Sequence, residues 1–354
     1  MTSRKSTYKI NDSRPKTDLR FKAQGIRHKQ RILLSFAFCL ITFALYSQVD
    51  STKQNLFMIA RPTADSIMLR WAPGNFKYWD LGNRYGYKLV RYTVMKDSSL
   101  LSEPKGADLT PAGIHPWPLM DWEQLVKTNQ YGGIAAQAIY GESFEADAGE
   151  GTTPQNVVYK SKEQKQRFSF ALYAADISPE VAVASGLWFT DNTAQKDEMY
   201  LYRTYLNLPD SLAQLNDTAF VLTGIRDFTP LPKPIELSAE FGDHTAILSW
   251  NSFAQNNIYI AWEVERSGNG RNFQALTIDP QVSVMPSDNA NPEYTYKFDS
   301  LPQNNKEYYY RIRGITSFGE TGPWSELTSG KGVEAIKATP NITGHEIIKE
   351  KVLL

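Results

Sequence analysis

Apolar and polar residues alternate in short runs along most of the chain. Residues 56–60, 66–71 and 85–94 each read as a strand with one buried face, split by Arg61-Pro62-Thr63-Ala64-Asp65 and by Pro73-Gly74-Asn75. The series returns at residues 235–241, 246–250 and 258–266. The turn Ser267-Gly268-Asn269-Gly270 follows, and its glycines can take the positive φ that a hairpin demands. Asn272 onward reads as another strand, so these glycines belong to a turn and not to a phosphate loop, which would need a helix next.

The two series share a frame. Asp191 stands nine residues before Tyr200, and Asp299 nine before Tyr308. Tyr200-Leu201-Tyr202-Arg203 matches Tyr308-Tyr309-Tyr310-Arg311, so the chain contains a repeat. Trp71 to Asp191 spans 120 residues and Trp250 to Asp299 only 49, which gives the first copy about 71 extra residues. These fall at about 106–186 and have a helical pattern. Asp121 is placed to cap a helix carrying Trp122, Leu125 and Val126 on one face, and residues 134–140 are Ala-rich. Ser161 and Gln164 form a capping-box frame ahead of Phe168, Leu172 and Ala175. Ser178-Pro179 opens a further turn that Gly186 can end. Pro230, Pro232 and Pro234 mark a stiff linker at 228–234. The organisation expected is a first domain at 53–227, a second at 233–335, and at 336–354 the start of a third, truncated copy.

Ahead of these, residues 1–31 are basic and residues 32–46 form an apolar run too short for a comfortable membrane span. Residues 1–48 therefore read as a signal peptide cleaved near Ser47 or Gln48, with no stable membrane span left after cleavage; the alternative is an uncleaved anchor. The lone cysteine, Cys39, lies inside that run, so neither a disulfide nor a thiolate metal site holds the mature chain together. Formal charge is 38 against 38, but residues 1–48 hold ten Lys and Arg and two Asp and Glu, which leaves 28 basic and 36 acidic residues in the remainder. That mildly acidic balance argues against nucleic acid as a partner.

Chemistry is sparse. His28, His115, His244 and His345 are isolated, with no partner at metal spacing, and read as solvated loop histidines. No nucleophile elbow, zinc-protease helix or phosphate loop occurs. No cofactor and no catalytic residue is expected. The acidic stretch 142–155, with Glu142, Glu145, Asp147 and Glu150, lacks the spacing of a calcium loop and reads as a solvated connection. Trp79, Trp117, Trp122 and Tyr131 cluster in or before the insertion. They form either an exposed platform for a sugar or peptide or the packing of helices onto the sandwich; packing is favoured, because exposed aromatic patches are uncommon.

A Trp closing the second strand, an Asp and Leu301-Pro302 ahead of Tyr308-Tyr309-Tyr310-Arg311, and the Gly322-Pro323-Trp324-Ser325-Glu326 run resemble a fibronectin type III domain. Residues 233–335 match along their whole length. The first copy keeps Trp71, Asp191, Tyr200, Tyr202 and Arg203 but lacks the Leu-Pro and carries the insertion. The whole resembles exported fibronectin type III proteins of Gram-negative bacteria. The resemblance implies a mainly β fold of two immunoglobulin-like β-sandwiches in tandem, the first with a helical insertion, and a binding or spacer role. Trp71, Tyr200, Tyr202, Trp250, Tyr308 and Tyr310 are then structural, with the first Tyr of each run tied back to the backbone as a corner.

The expected function is a non-catalytic exported binding or adhesion protein, held in the periplasm, on the cell surface or outside the cell. It would meet a protein or cell-surface glycan through the insertion. The alternatives are an accessory region of an exported glycan-degrading enzyme and a passive spacer.

Overall fold

The computed structural model describes residues 54–142, 154–277, 280–282, 293–335, 346–348 and 351–353. The expected signal peptide, most of the acidic stretch with Glu145, Asp147 and Glu150, and most of 336–354 with His345 lie outside the described residues.

The chain is mainly β. In the first sandwich, β1 (Leu56–Pro62), β2 (Ile67–Pro73) and β5 (Trp188–Asp191) form one antiparallel sheet in the order β1-β2-β5. Its partner sheet takes β3 (Tyr87–Lys96), β4 (Ser99–Asp108), β6 (Glu198–Leu206) and β7 (Thr218–Thr223) in the order β4-β3-β6-β7. The second sandwich repeats the plan: β8 (Ser238–Gly242), β9 (Thr245–Asn251) and β13 (Tyr294–Ser300) lie in the order β13-β9-β8. Opposite them β10 (Tyr259–Ser267), β11 (Gln274–Ala275), β14 (Glu307–Thr316) and β15 (Thr328–Lys331) lie in the order β11-β10-β14-β15, with β12 (Gln281–Val282) also on β10. Three strands facing four in the first sandwich, and three facing four plus the short β12 in the second, is the fibronectin type III-like arrangement that the resemblance implied.

Alternation explains the cores. Ala246, Leu248 and Trp250 on β9 meet Trp262 and Val264 on β10 and Tyr308, Tyr310 and Ile312 on β14 in one cluster. In the first sandwich Trp71, Tyr200 and Tyr202 play the same part.

Among the described residues five α-helices depart from the sandwich plan: α1 (Phe76–Tyr85), α2 (Trp122–Thr128), α3 (Gln130–Tyr140), α4 (Pro154–Ile177) and α5 (Pro179–Ala184). Helix α1 corrects the sequence reading, which placed only a break between two strands there. Asn75 caps it by accepting from the Tyr78 N–H at 3.0 Å. Gly82 disguises it: glycine inside a helix costs about 1 kcal/mol, yet a Cβ there would lie 2.0 Å from the Tyr87 hydroxyl. Helix α4 runs straight through 161–164, so the capping-box frame at Ser161 and Gln164 is helix interior. Asp121 precedes α2 without a side-chain capping bond, and Val126 faces outward. Residues 99–108 pair with β3 as a hairpin, so the helical part of the insertion begins later than expected. In the 267–270 turn only Gly270 takes positive φ. His244 is not simply solvated, since its Nδ1 lies 3.1 Å from the Leu301 carbonyl.

The end of α5 follows its sequence signals closely. Ser178 caps the helix by accepting from the Val181 N–H at 3.2 Å, and Pro179 opens it. Gly186, at φ +69, donates to the Val183 carbonyl and Leu187 to the Ala182 carbonyl, which is a Schellman closure.

The repeated Asp-to-Tyr spacing builds one buried tie in each sandwich. Asp191 accepts from the Tyr202 hydroxyl at 2.7 Å, from Arg91 at 2.7 Å, and from the Thr193 N–H and hydroxyl at 2.9 and 2.7 Å. Asp299 accepts from the Tyr310 hydroxyl at 2.6 Å and from Arg266 at 2.9 Å. Tyr200 and Tyr308 close the corners: their hydroxyls accept from the N–H groups of Gln195 at 2.7 Å and Gln303 at 3.2 Å. Burial pushes the Asp191 carboxyl up, but bonds from Thr193, Tyr202 and Arg91 outweigh this and hold it below the ordinary carboxylate value. Burial and the bond to the carboxylate push the Tyr202 hydroxyl up.

The two sandwiches are docked through the β14–β15 loop of the second. Arg61 holds Glu320 in a two-pronged bond at 2.6 and 3.3 Å and donates to the Thr229 carbonyl at 2.9 Å. Arg70, buried on β2, donates to the Ser317 carbonyl, to the Ala175 carbonyl at 2.9 Å and to Asp176 at 3.0 Å. Trp188 meets Phe318 edge-on at 5.3 Å. The linker is fastened as well, since the Pro232 carbonyl accepts from the Tyr259 hydroxyl at 2.5 Å.

Two outcomes follow. The folded value of Asp191 lies below its unfolded value of about 4, so its contribution is complete above that pH and lost as pH falls through the folded value. Asp191→Asn is expected to lower stability at neutral pH by about 3 kcal/mol and to flatten the acid side of the stability profile. Urea midpoints read by circular dichroism across the acid range test this; equal acid sensitivity in both proteins would point to another carboxyl. Gly319, at φ +76, leaves 2.5 Å between a would-be Cβ and Pro179 Cγ. Gly319→Ala is therefore expected to lift the loop and broaden the distances between spin labels on β4 and β8, and an unchanged distribution would contradict docking by this loop.

Candidate functional site

The insertion is part of the first sandwich's core and not an appendage to it. Trp122, Ala135, Ala174, Val181 and Ala184 lie in the same buried cluster as Trp71, Tyr87 and Tyr202. This decides the fate of the four aromatic candidates. Trp122 is 1% exposed, and its indole N–H donates to the Trp117 carbonyl at 3.0 Å. Trp79 is buried with Ala138 and Ala171, with Phe76 at 5.7 Å and Phe168 at 6.5 Å between ring centres. Tyr131 is half-buried, edge-on to Tyr173 at 6.1 Å. Trp117 alone of the four has its ring in the open, at 37% exposure. The exposed-platform reading thus fails for Trp79 and Trp122, because a helical insert must bury its apolar stripe and these two indoles supply it. Trp71, Tyr200, Tyr202, Trp250, Tyr308 and Tyr310 are all buried, as core residues are.

What stands open is a ledge and a groove that meet at Tyr140. Residues 117–120 lie over the ends of α3 and α5: the Trp117 N–H donates to the Ala184 carbonyl at 2.8 Å, and the Trp117 carbonyl accepts from the Tyr140 hydroxyl at 2.5 Å. Held in this way, Trp117, Leu119 and Met120 turn outward, Met120 at 86% exposure. Burial pushes the Tyr140 hydroxyl up, which keeps it a neutral donor.

The groove runs between α1 and the α3–α4 pair and encloses about 470 Å³. Phe76, Trp79 and Ile139 line its apolar side. Its rim carries two ion pairs, Arg84 with Asp80 at 2.9 Å and Arg167 with Glu163 at 2.8 Å, each one helical turn apart. Arg167 also donates to the carbonyls of Ala138 at 3.1 Å and Gln137 at 3.3 Å, closing the end of α3. An apolar wall with a charged, hydrogen-bonding rim suits binding by shape and polar contacts. Among the described residues no group of three or more His, Cys, Asp or Glu could hold a metal ion.

The sequence reading missed this groove. Its signal is Asp80 to Arg84 and Glu163 to Arg167, pairs that become neighbours only where the segments are helical, and α1 was not foreseen.

No family model matches the chain, and no curated protein matches it. Among solved structures, the chicken interferon gamma receptor alpha chain is 8% identical, with a TM-score of 0.25 over 78% of this chain and 96% of that one. The third fibronectin III domain of a human protein is 14% identical, with a TM-score of 0.23 over 32% of this chain and 90% of that one. At these scores neither superposition bears on the fold, which rests on the strand order and register above.

The packing makes a sharp contrast between two tryptophans. Trp122→Ala is expected to destabilise by about 3–5 kcal/mol, the range for emptying a buried indole site. Trp117→Ala, at an open position, is expected to change stability by less than about 1 kcal/mol. Chemical denaturation of both variants checks this, and comparable losses would mean that Trp117 is packed.

Proposed function

We propose that this chain is an exported, non-catalytic binding module whose insertion presents the ledge and groove to a protein or glycan partner. The observation that carries the reading is the ledge. Trp117, Leu119 and Met120 are turned into solvent although their backbone is fixed by the core, so their order cannot be attributed to their own burial. A backbone already held in place lowers the ordering cost of binding, and a flexible Met side chain adapts to the surface it meets. The docked second sandwich supports a presenting role, because Arg70 joins it to α4 of the insertion. The carboxylates of the groove are each engaged by an arginine one helical turn away, which makes the rim a set of paired polar contacts for a partner. No helix among the described residues is long and apolar enough to cross a membrane.

Because the insertion shares the core, deleting it would unfold the first sandwich, and point substitutions are the proper probe. Trp117→Ser with Leu119→Ser and Met120→Ser is expected to keep the circular dichroism spectrum and to lose capture of the native envelope partner. A parallel variant, Arg84→Glu with Arg167→Ala, reports on the groove. Equal capture by wild type and both variants would remove the insertion as the binding surface and favour a spacer.

A further inference from the structure

The outer face of the four-stranded sheet in the first sandwich is largely apolar, with Arg203, Lys88 and Asp108 toward one end of it. On β6 Tyr200, Tyr202 and Thr204 are buried, so Met199, Leu201, Arg203 and Tyr205 point the other way. Strand pairing sets Leu222, Leu201, Tyr92 and Gly106 in one row across the sheet. A second row is Phe220, Arg203, Val90 and Asp108. Phe220 is 61% exposed, and Leu222 and Leu100 are also open to solvent. A Cβ at Gly106 would come within 3.0 Å of the Tyr92 ring, so the glycine keeps this part of the face flat.

The fold does not require such a face, because the second sandwich covers the same positions with charge. There Arg311 pairs with Glu265 and Arg313 with Glu263, each at 2.6 Å, and the Trp324 ring lies 4.1 and 4.4 Å from the two guanidinium groups. Glu265 stands directly opposite Arg311, and Val90 directly opposite Arg203. Replacing that glutamate by valine leaves Arg203 with the Thr218 hydroxyl at 3.3 Å and the Tyr205 ring at 5.2 Å.

We infer that this face docks a second copy of the chain, sheet against sheet. A flat, apolar sheet face is matched by another flat sheet face at about 10 Å, the spacing within a sandwich. Four strands about 4.8 Å apart and roughly six residues long present on the order of 400 Å² per copy in projection, and side-chain relief brings the total toward the roughly 1,200 Å² at which specific interfaces begin. Charge fits the same geometry. A two-fold axis along the strands, between β6 and β3, lays β6 over β3 of the second copy and brings Arg203 beside that copy's Asp108, at the far end of the same row. The Asp108 side chain is 45% exposed and its ion pair with Lys88 is long, 3.5 Å, which leaves it able to take a second cation. Pairing in this way uses a surface separate from the ledge and groove, and it would present two insertions at once, which strengthens attachment to a repeated partner.

Sedimentation velocity of the purified full chain tests this. The wild type is expected to be a dimer at about 10 µM, and Phe220→Glu with Leu222→Glu, at two exposed positions, to weaken it at least about tenfold with an unchanged circular dichroism spectrum. Arg203→Glu and Asp108→Arg are each expected to weaken it, and the double variant Arg203→Glu with Asp108→Arg to restore it, which a merely structural role would not do. A wild type still monomeric at about 100 µM would overturn the proposal and leave the face to a different protein. So would a dimer indifferent to Phe220→Glu with Leu222→Glu, or two single charge variants without rescue in the double.

Discussion

The buried carboxylate between strands is the constraint on which each sandwich turns. Asp191 closes β5 and Asp299 stands one residue from the end of β13, and each is gripped by an arginine and a tyrosine of the facing sheet. A charge in that position is tolerable only when fully bonded, so the tie fixes the two sheets against each other at one point. It also fixes register. A one-residue slip of β6 would point Tyr202 outward and leave Asp191 buried without that donor. The same Arg91 lies over the Tyr200 ring at 4.6 Å, and Tyr200 closes the corner at Gln195, so packing, charge and turn geometry agree on one arrangement.

From that frame the insertion gains its rigidity. Its helices complete the open end of the first sandwich with alanines, Val181 and Trp122, and a smaller cluster of Trp79, Ala138 and Ala171 packs them against α1. The same helices reach the second sandwich, where Arg70 donates at once to the α4 carbonyl Ala175 and to the docked loop. A single buried cation therefore joins sheet, insertion and neighbour. Its Nε–H has no partner among the described residues, so the site is held by geometry at some electrostatic cost.

Repetition within one chain separates what the fold needs from what each copy adds. Both copies keep the tie, the corner and a buried inward Trp. They differ on the outer face of the larger sheet, charged and self-paired in one and largely apolar in the other, and in the insertion. Surfaces free of the fold's demands are where function is added to a common scaffold.

The sequence by itself determined most of the strands but not β4, together with the repeat, the Asp-to-Tyr spacing and the presence of a helical insertion, because these follow from local periodicity and from distances along the chain. It also determined the end of α5, where Ser178, Pro179 and Gly186 act within a few residues of one another. It did not yield α1, whose Gly82 is explained only by the Tyr87 ring beside it, nor the start of α4. Nor could it say which aromatics of the insertion would be buried: Trp117 and Trp122 are five residues apart, yet Trp122 opens α2 against the core and Trp117 stands open in the loop before it. The groove, the joint and the outer sheet face were decided by tertiary structure alone. Each brings together groups far apart in the chain, Arg70 and Ser317 being 247 residues apart, and no local pattern encodes such a meeting.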